Sequence, residues 1–264
     1  MPFATAGDGA RLAYEVIGAG PPLLLVSGQA SDRHTWAAAR GDFASRHCVI
    51  VFDHRGTGES DKPEAPAYST RGFAGDAVAV LDAAGISRAH VYGVSMGGRI
   101  CQWLAIDHPG RIGAVVLGCT TPGNAHGVRR PPAVDPELAS GDPVRLMPYL
   151  VTPAWAASHP ELLAQLEATA RDRPVPPYAR RLHYLASEGH DTWDLLPTIK
   201  APTLVVHGAD DLVNVAANAP LLAERIPGAE LHIIEGARHA YFWENRPEAS
   251  QLVLDFLACH PLAD

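Results

Sequence analysis

The chain has few cysteines, and the four it carries, Cys48, Cys101, Cys119 and Cys259, lie far apart with no C-x-x-C spacing. A disulfide framework and a thiolate metal site are thereby excluded as organising features, and the thiols read as small reduced hydrophobes. Basic clusters are equally scarce. Nothing exceeds Arg129-Arg130 or Arg180-Arg181, and 21 Lys and Arg against 29 Asp and Glu leave a formal net charge of -8. Neither nucleic acid nor an anionic membrane surface is expected as a partner. No apolar run approaches the ~20 residues of a spanning helix. The opening "MPFATAGDGARLAYEVIGAG" lacks the basic start and apolar stretch of a signal peptide, so the chain reads as cytoplasmic. No histidine pair shows metal-site spacing with carboxylates or thiols, and no metal or other cofactor is expected. Internal repeats, low-complexity tracts and heptads are missing too, and the oligomeric state leaves no mark.

What is present is ordinary globular material. With 47% hydrophobic and 19% charged residues in 264 positions, the chain is long enough for one large α/β domain with a full core. Two short alternating segments, "FATA" and "RLAYEVIG", flank Gly7-Asp8-Gly9 and predict an opening hairpin. After it come short continuous apolar runs, "PPLLLVSG", "HCVIVFD", "AHVYGVS", "IGAVVLGCT", "PTLVVHG" and "AELHIIEG", the pattern of parallel strands covered on both faces. Helical stretches lie between most of them. "STRGFAGDAVAVLDAAG" carries Ser69 or Thr70 as a cap and Gly85 as a stop, and "MGGRICQWLAIDHPG" ends at Pro109-Gly110. The series predicts a mostly parallel central sheet with helices on both faces. Residues 122–197 break the rhythm. They are rich in proline, hold amphipathic pieces such as "HPELLAQLEATA" and "ARRLHYLASEG", and show no convincing strand. They predict an inserted helical lid, with 1–121 and 198–264 forming the core domain.

Within "HVYGVSMGGRI", residues 90–100, Ser95 stands between two glycines where a β-rich run ends and a helix begins. Glycines two residues before and after suit a sharp turn in which the backbone passes close to its neighbours and the serine takes strained dihedrals. Such a turn lifts Oγ out of the strand end, beside a helix N-terminus whose N–H groups face developing negative charge. A serine hydroxyl needs a base, and the base an orienting acid. Downstream, "HGADDLVN" offers Asp210 and Asp211 after one strand, and "EGARHAYFWEN" offers His239 after the last.

"LLLVSGQ", "VFDHRGTGESD", "YGVSMGG", "HGADD" and "EGARHA", in this order and over nearly the whole chain, resemble the motifs of the α/β-hydrolase superfamily. The resemblance implies a Ser-Asp-His triad, and its G-x-x-D spacing from Gly208 selects Asp211, leaving Asp210 as a turn residue. It implies oxyanion donors from the N–H of Met96 and the N–H of Gln29, with Ala30 the alternative. Where many relatives carry His-Gly, this chain has Ser27-Gly28. "FDHRGTGESD" is expected to be structural, with Asp53 and Arg55 pairing or bonding the loop backbone, and His34, His54, His126, His207 and His260 are read as structural as well.

Among serine-nucleophile branches, "GVSMGGRICQWLAIDHP" is most similar to the 3-oxoadipate enol-lactonase group and small bacterial esterases. Hydrolysis of a small carboxylic ester or lactone through an acyl-enzyme is therefore expected. C–C hydrolysis of meta-cleavage products and perhydrolysis follow, and ligand reception without turnover is the non-enzymatic alternative. Trp36, Tyr149, Trp155 and Phe242 are candidate substrate contacts, and Arg180, Arg181 or Trp155 could hold a substrate carboxylate.

Overall fold

The computed structural model describes residues 1–65, 68–140 and 142–262. Eight strands form one sheet: β1 (Phe3–Thr5), β2 (Arg11–Ile17), β3 (Pro22–Val26), β4 (Cys48–Phe52), β5 (Ala89–Val94), β6 (Ile112–Gly118), β7 (Thr203–Gly208) and β8 (Glu230–Ile234). Their spatial order is β1-β2-β4-β3-β5-β6-β7-β8. β1 and β2 pair antiparallel about the glycine turn, β2 runs antiparallel to β4, and all later pairs are parallel. This is the α/β-hydrolase fold.

The apolar runs are continuous because both faces are covered, and the two-residue period divides them between two cores. Leu24, Val26, Ile50, Phe52 and Val91 face α2 (Thr70–Ala83) and α3 (Met96–Asp107). Leu23, Leu25, Val49, Val51 and Tyr92 face α1 (Arg40–Ala44) and α11 (Glu248–Cys259), with Trp36 and Phe43 filling between. α2 begins where Ser69 accepts the Gly72 N–H at 2.9 Å and stops at Gly85, whose φ of +72° is left-handed. β8 departs from expectation. It lies at the sheet edge, so its residues are exposed or half-buried and Leu231 is open to solvent.

Between β6 and β7 lie α4 (Asp135–Ser140), α5 (Pro143–Leu150), α6 (Pro153–Ser158), α7 (Pro160–Asp172) and α8 (Pro177–Glu188). No strand occurs there among the described residues, only a single bridge between Gly123 and Asp191. Four of these helices open on a proline, which has no N–H to lose in a first turn and a φ already set for helix. The proline richness that broke the rhythm thus marks helix starts. After β7 and β8 come α9 (Asn218–Arg225), then α10 (Tyr241–Glu244) before α11. Loops following the C-terminal ends of β3, β5, β7 and β8 therefore share one rim of the sheet.

The loop after β4 corrects one expectation: Asp53 and Arg55 do not pair with each other. Asp53 accepts from the Arg33 guanidinium, the Arg33 N–H at 2.9 Å and the Glu59 N–H at 2.8 Å. Arg55 grips Asp76 of α2 in bidentate fashion, at 2.7 and 2.6 Å, and reaches Asp8 in the hairpin turn at 2.6 Å. The pair thus ties two different layers to the strand end. Removing one partner strands a buried charge at a cost of roughly 3–5 kcal/mol. Arg55→Met is expected to lose about that much by urea unfolding, and Asp76→Asn added to it should restore part of the loss.

Candidate active site

Ser95 caps α3 at the end of β5, with φ +58° and ψ −120°. A Cβ on Gly93 would run into the Gly97 carbonyl, and one on Gly97 would run into the carbonyls of Val26 and Ser27. Only glycine permits that approach, which is why the strand is interrupted there. The turn is held on its inner side by the Ser95 N–H donating to the Gly118 carbonyl at 2.9 Å and by the Thr120 hydroxyl donating to the Ser95 carbonyl at 2.8 Å. Among the described residues Ser95 Oγ makes no hydrogen bond.

The loop after β7 supplies a buried carboxylate. Asp211 Oδ1 accepts the N–H groups of Val213 at 2.8 Å and Asn214 at 3.0 Å. Its Oδ2 lies 2.7 Å from His239 Nδ1 and 3.1 Å from His207 Nε2. Burial alone would raise its pKa. His239 and His207 outweigh burial and hold it near 2, so the group is a carboxylate throughout the neutral range. An acceptor-only partner places the His239 proton on Nδ1 and leaves the Nε2 lone pair free. Asp210 takes no part; its N–H donates to the Ala237 carbonyl at 2.9 Å. The structure thus joins His239 to Asp211. Ser95 Oγ makes no hydrogen bond to that ring. The Cys119 thiol lies between the two sides: burial and then the Asp211 charge push its pKa well up, while the Ser95 backbone opposes the shift.

Among the described residues neither the Met96 nor the Gln29 N–H donates to a protein acceptor. The alternative donor is not. The Ala30 N–H is committed to His183 Nδ1 on α8 at 3.3 Å, and Ala30 itself is left-handed with φ +52°. His54, from the loop after β4, donates Nε2–H to the Ser27 carbonyl at 3.0 Å.

Beside Gln29 and Ala30 opens a cavity of about 180 Å³ whose apolar wall is Leu138, Leu146, Met147, Leu150 and Trp243, with Arg173 and Arg180 at its margin. None of the four aromatic residues expected to contact substrate lines it. Trp36 and Phe242 pack on each other at 5.3 Å within the second core, where Trp36 is fully buried and Phe242 nearly so. Trp155 stacks on His159 at 4.3 Å, and half-buried Tyr149 is not on the wall. Arg180 spends donors on the carbonyls of Val175 and Ser140, and Arg181 is exposed. Trp243, which directly follows "HAYF" and lies four residues past His239, does line the cavity and was not among the aromatics expected there.

Two further residues were missed. His207 was read as structural, yet it is the second imidazole on Asp211 and also lies 2.5 Å from the Asn214 carbonyl. Its place four residues before Asp211 was the available signal. Arg99, one helical turn after Ser95, is fully buried, and burial lowers its pKa to about 10. It donates to the Ser187 hydroxyl of α8 at 2.7 Å and to Asn214 Oδ1 at 3.2 Å, joining α3, α8 and the loop after β7. Nothing in the sequence distinguishes it from a solvated arginine.

Comparison with known proteins gives the family of the chain. Residues 21–246 match the family described as alpha/beta hydrolase fold. A relative named for carbamate hydrolysis, RutD of Azorhizobium caulinodans, is 34% identical, with 97% of this chain and 98% of the relative covered. An enol-lactonase from Burkholderia xenovorans superposes with a TM-score of 0.87 at 26% identity, covering 97% of this chain and 100% of that one. An N-acyl homoserine lactone degrading enzyme gives a TM-score of 0.83 at 34% identity, again over 97% and 100%.

The buried imidazoles make stability acid-sensitive. Burial lowers His54 to about 4; burial, then the neighbouring His54, lowers His183 to about 3. An unfolded ring takes up a proton near 6.5, whereas the folded ring refuses it until far lower. Their full contribution is therefore present above 6.5 and declines as pH falls toward 4 and 3. Urea unfolding at pH 5 should show a loss of roughly 2 kcal/mol per ring relative to pH 7.5, on the order expected from the linkage relation.

Proposed function

The chain belongs to the α/β-hydrolase fold family, and on that premise we propose that it hydrolyses a small carboxylic ester or lactone through an acyl-enzyme on Ser95. The observation that carries the reading is the 2.7 Å contact of His239 Nδ1 with the buried Asp211 carboxylate, on the same sheet rim as a serine held in a left-handed turn.

Ser95 Oγ attacks the carbonyl carbon while His239 Nε2 takes its proton, and Asp211 stabilises the imidazolium. This transfer needs the Oγ–Nε2 approach to close, as such contacts do when they tighten around substrate. The N–H groups of Met96 and Gln29 receive the oxyanion, each worth on the order of 10²–10³ in turnover. His239 then protonates the departing oxygen, and water releases the acid by the reverse proton path. The apolar wall formed by Leu138, Leu146, Met147, Leu150 and Trp243 favours an aliphatic group over a charged one. Helices of the 122–197 segment act as the lid that dries this chamber.

With p-nitrophenyl esters, Ser95→Ala should abolish turnover with unchanged circular dichroism. Asp211→Asn should lower kcat by about 10⁴ through loss of the His239 tautomer, while Asp210→Asn changes it little. Turnover that survives Ser95→Ala would overturn the reading. Butyrate should exceed acetate in kcat/KM by roughly tenfold, since two further methylenes enter an apolar pocket. A parallel panel of lactones and carbamates identifies the bond preferred.

A further inference from the structure

Among the buried imidazoles that the mechanism does not use, His183 on α8 meets the expected oxyanion loop at Ala30. Both of its ring nitrogens are used, and each reaches a different loop. Nε2 lies 2.8 Å from the Arg55 carbonyl and Nδ1 lies 3.3 Å from the Ala30 N–H. A carbonyl only accepts, so the proton sits on Nε2, and Nδ1 offers the lone pair that the Ala30 amide needs. The neutral ring is the one form that satisfies both.

Ala30 is a residue that would not choose its conformation. At φ +52° its Cβ is unfavourably placed, and something outside the loop must hold it there. The residue before it is Gln29, whose N–H points free of protein acceptors, and the loop's other end is pinned where His54 Nε2–H meets the Ser27 carbonyl at 3.0 Å. Two imidazoles thus clamp the Ser27-to-Ala30 turn from either end. Their ring centroids stand 6.1 Å apart, with Tyr68 and Phe73 packed around His183. Gly56 lets α8 come this close; a Cβ there would lie 3.1 Å from Ala179 Cβ and 3.3 Å from His183 Nε2.

We propose that His183 is a positioning residue for the oxyanion loop: by accepting the Ala30 N–H it fixes the Gln29-Ala30 peptide, and through the Gln29 backbone it sets the direction in which the preceding Gln29 N–H meets the carbonyl oxygen bound over Ser95. This rests on the acyl-transfer reading. The consequence is that docking of α8, a helix of the inserted segment, completes the oxyanion hole, so that chamber closure and transition-state stabilisation are one event. His183 touches neither substrate nor the reacting atoms.

Two near-isosteric variants separate the role from mere support. His183→Asn keeps an acceptor where Nδ1 was and loses the contact to Arg55; His183→Gln keeps a donor near Nε2 and loses the acceptor for Ala30. On p-nitrophenyl butyrate, His183→Gln should lower kcat 10- to 100-fold with KM within about twofold, and His183→Asn should stay within about fivefold of wild type. Affinity for butylboronic acid, whose tetrahedral adduct occupies the oxyanion site, should fall in His183→Gln in step with kcat. Equal losses in both variants that follow their melting temperatures, or a rise in KM at constant kcat, would overturn the proposal. A further check needs no variant: ¹⁵N-histidine spectra of the wild-type protein at pH 7 should show His183 as the Nε2–H tautomer, and an Nδ1–H tautomer or a cation would sink it. Turnover surviving Ser95→Ala would instead remove the acyl-transfer reading, and the positioning role with it, so the two failures are told apart by the variant that produces them.

Discussion

A single buried carboxylate organises the candidate site. Asp211 sits where β7 gives way to a tight loop, and it receives four partners: two backbone N–H groups, His207 and His239. An isolated charge at that depth would cost several kcal/mol in desolvation, and it is tolerated because all its acceptor sites are engaged. The geometry of the neighbouring loop follows from that demand. Asn214 gives its N–H to Asp211, its carbonyl lies against His207, and its side chain links the Cys119 carbonyl to Arg99. The ends of β6 and β7 and the start of α3 are thereby held in one polar network.

Around it the protein makes repeated use of neutral histidine as a buried connector. His54 and His183 hold the turn after β3, His90 accepts the Ala114 N–H at 3.0 Å, and His190 lies between the Thr70 hydroxyl and Gln102. A neutral imidazole carries one donor and one acceptor at a fixed separation, without the desolvation cost of a charge, and at His183 it joins two backbone segments. Arginine performs the charged equivalent, with Arg33 on Asp53 and Arg55 on Asp76 securing the loop after β4.

The fold was legible where local chemistry decides it. Continuous apolar runs marked the covered strands, Ser69 and Gly85 bounded α2, and the glycine pair around Ser95 announced a turn that only glycine allows. The edge position of β8 was not, because pairing order is set by packing rather than by the strand's own residues. The same division holds in the site. Strand-end position picked out Ser95, the Asp210-Asp211 pair and His239 as candidates, and the family resemblance chose Asp211, whereas what His207, Arg99 and His183 touch depends on what lies opposite them across 4 to 153 residues of chain. Aromatic side chains misled for a related reason. Size signals burial, and burial in the core beneath the rim looks in sequence like burial against a ligand.

The wall beside Gln29 has one property of a different kind. Leu138 and Leu150 bond their surroundings through main-chain carbonyls, to the Gln29 side-chain amide and the Ala240 N–H, contacts that do not depend on which side chain either residue carries. In the proposed reaction, what the chamber admits and what it does to its guest are consequently encoded by separate sets of atoms. Selectivity is free to drift across generations, one aliphatic swap at a time, while the reactive apparatus stays as it is.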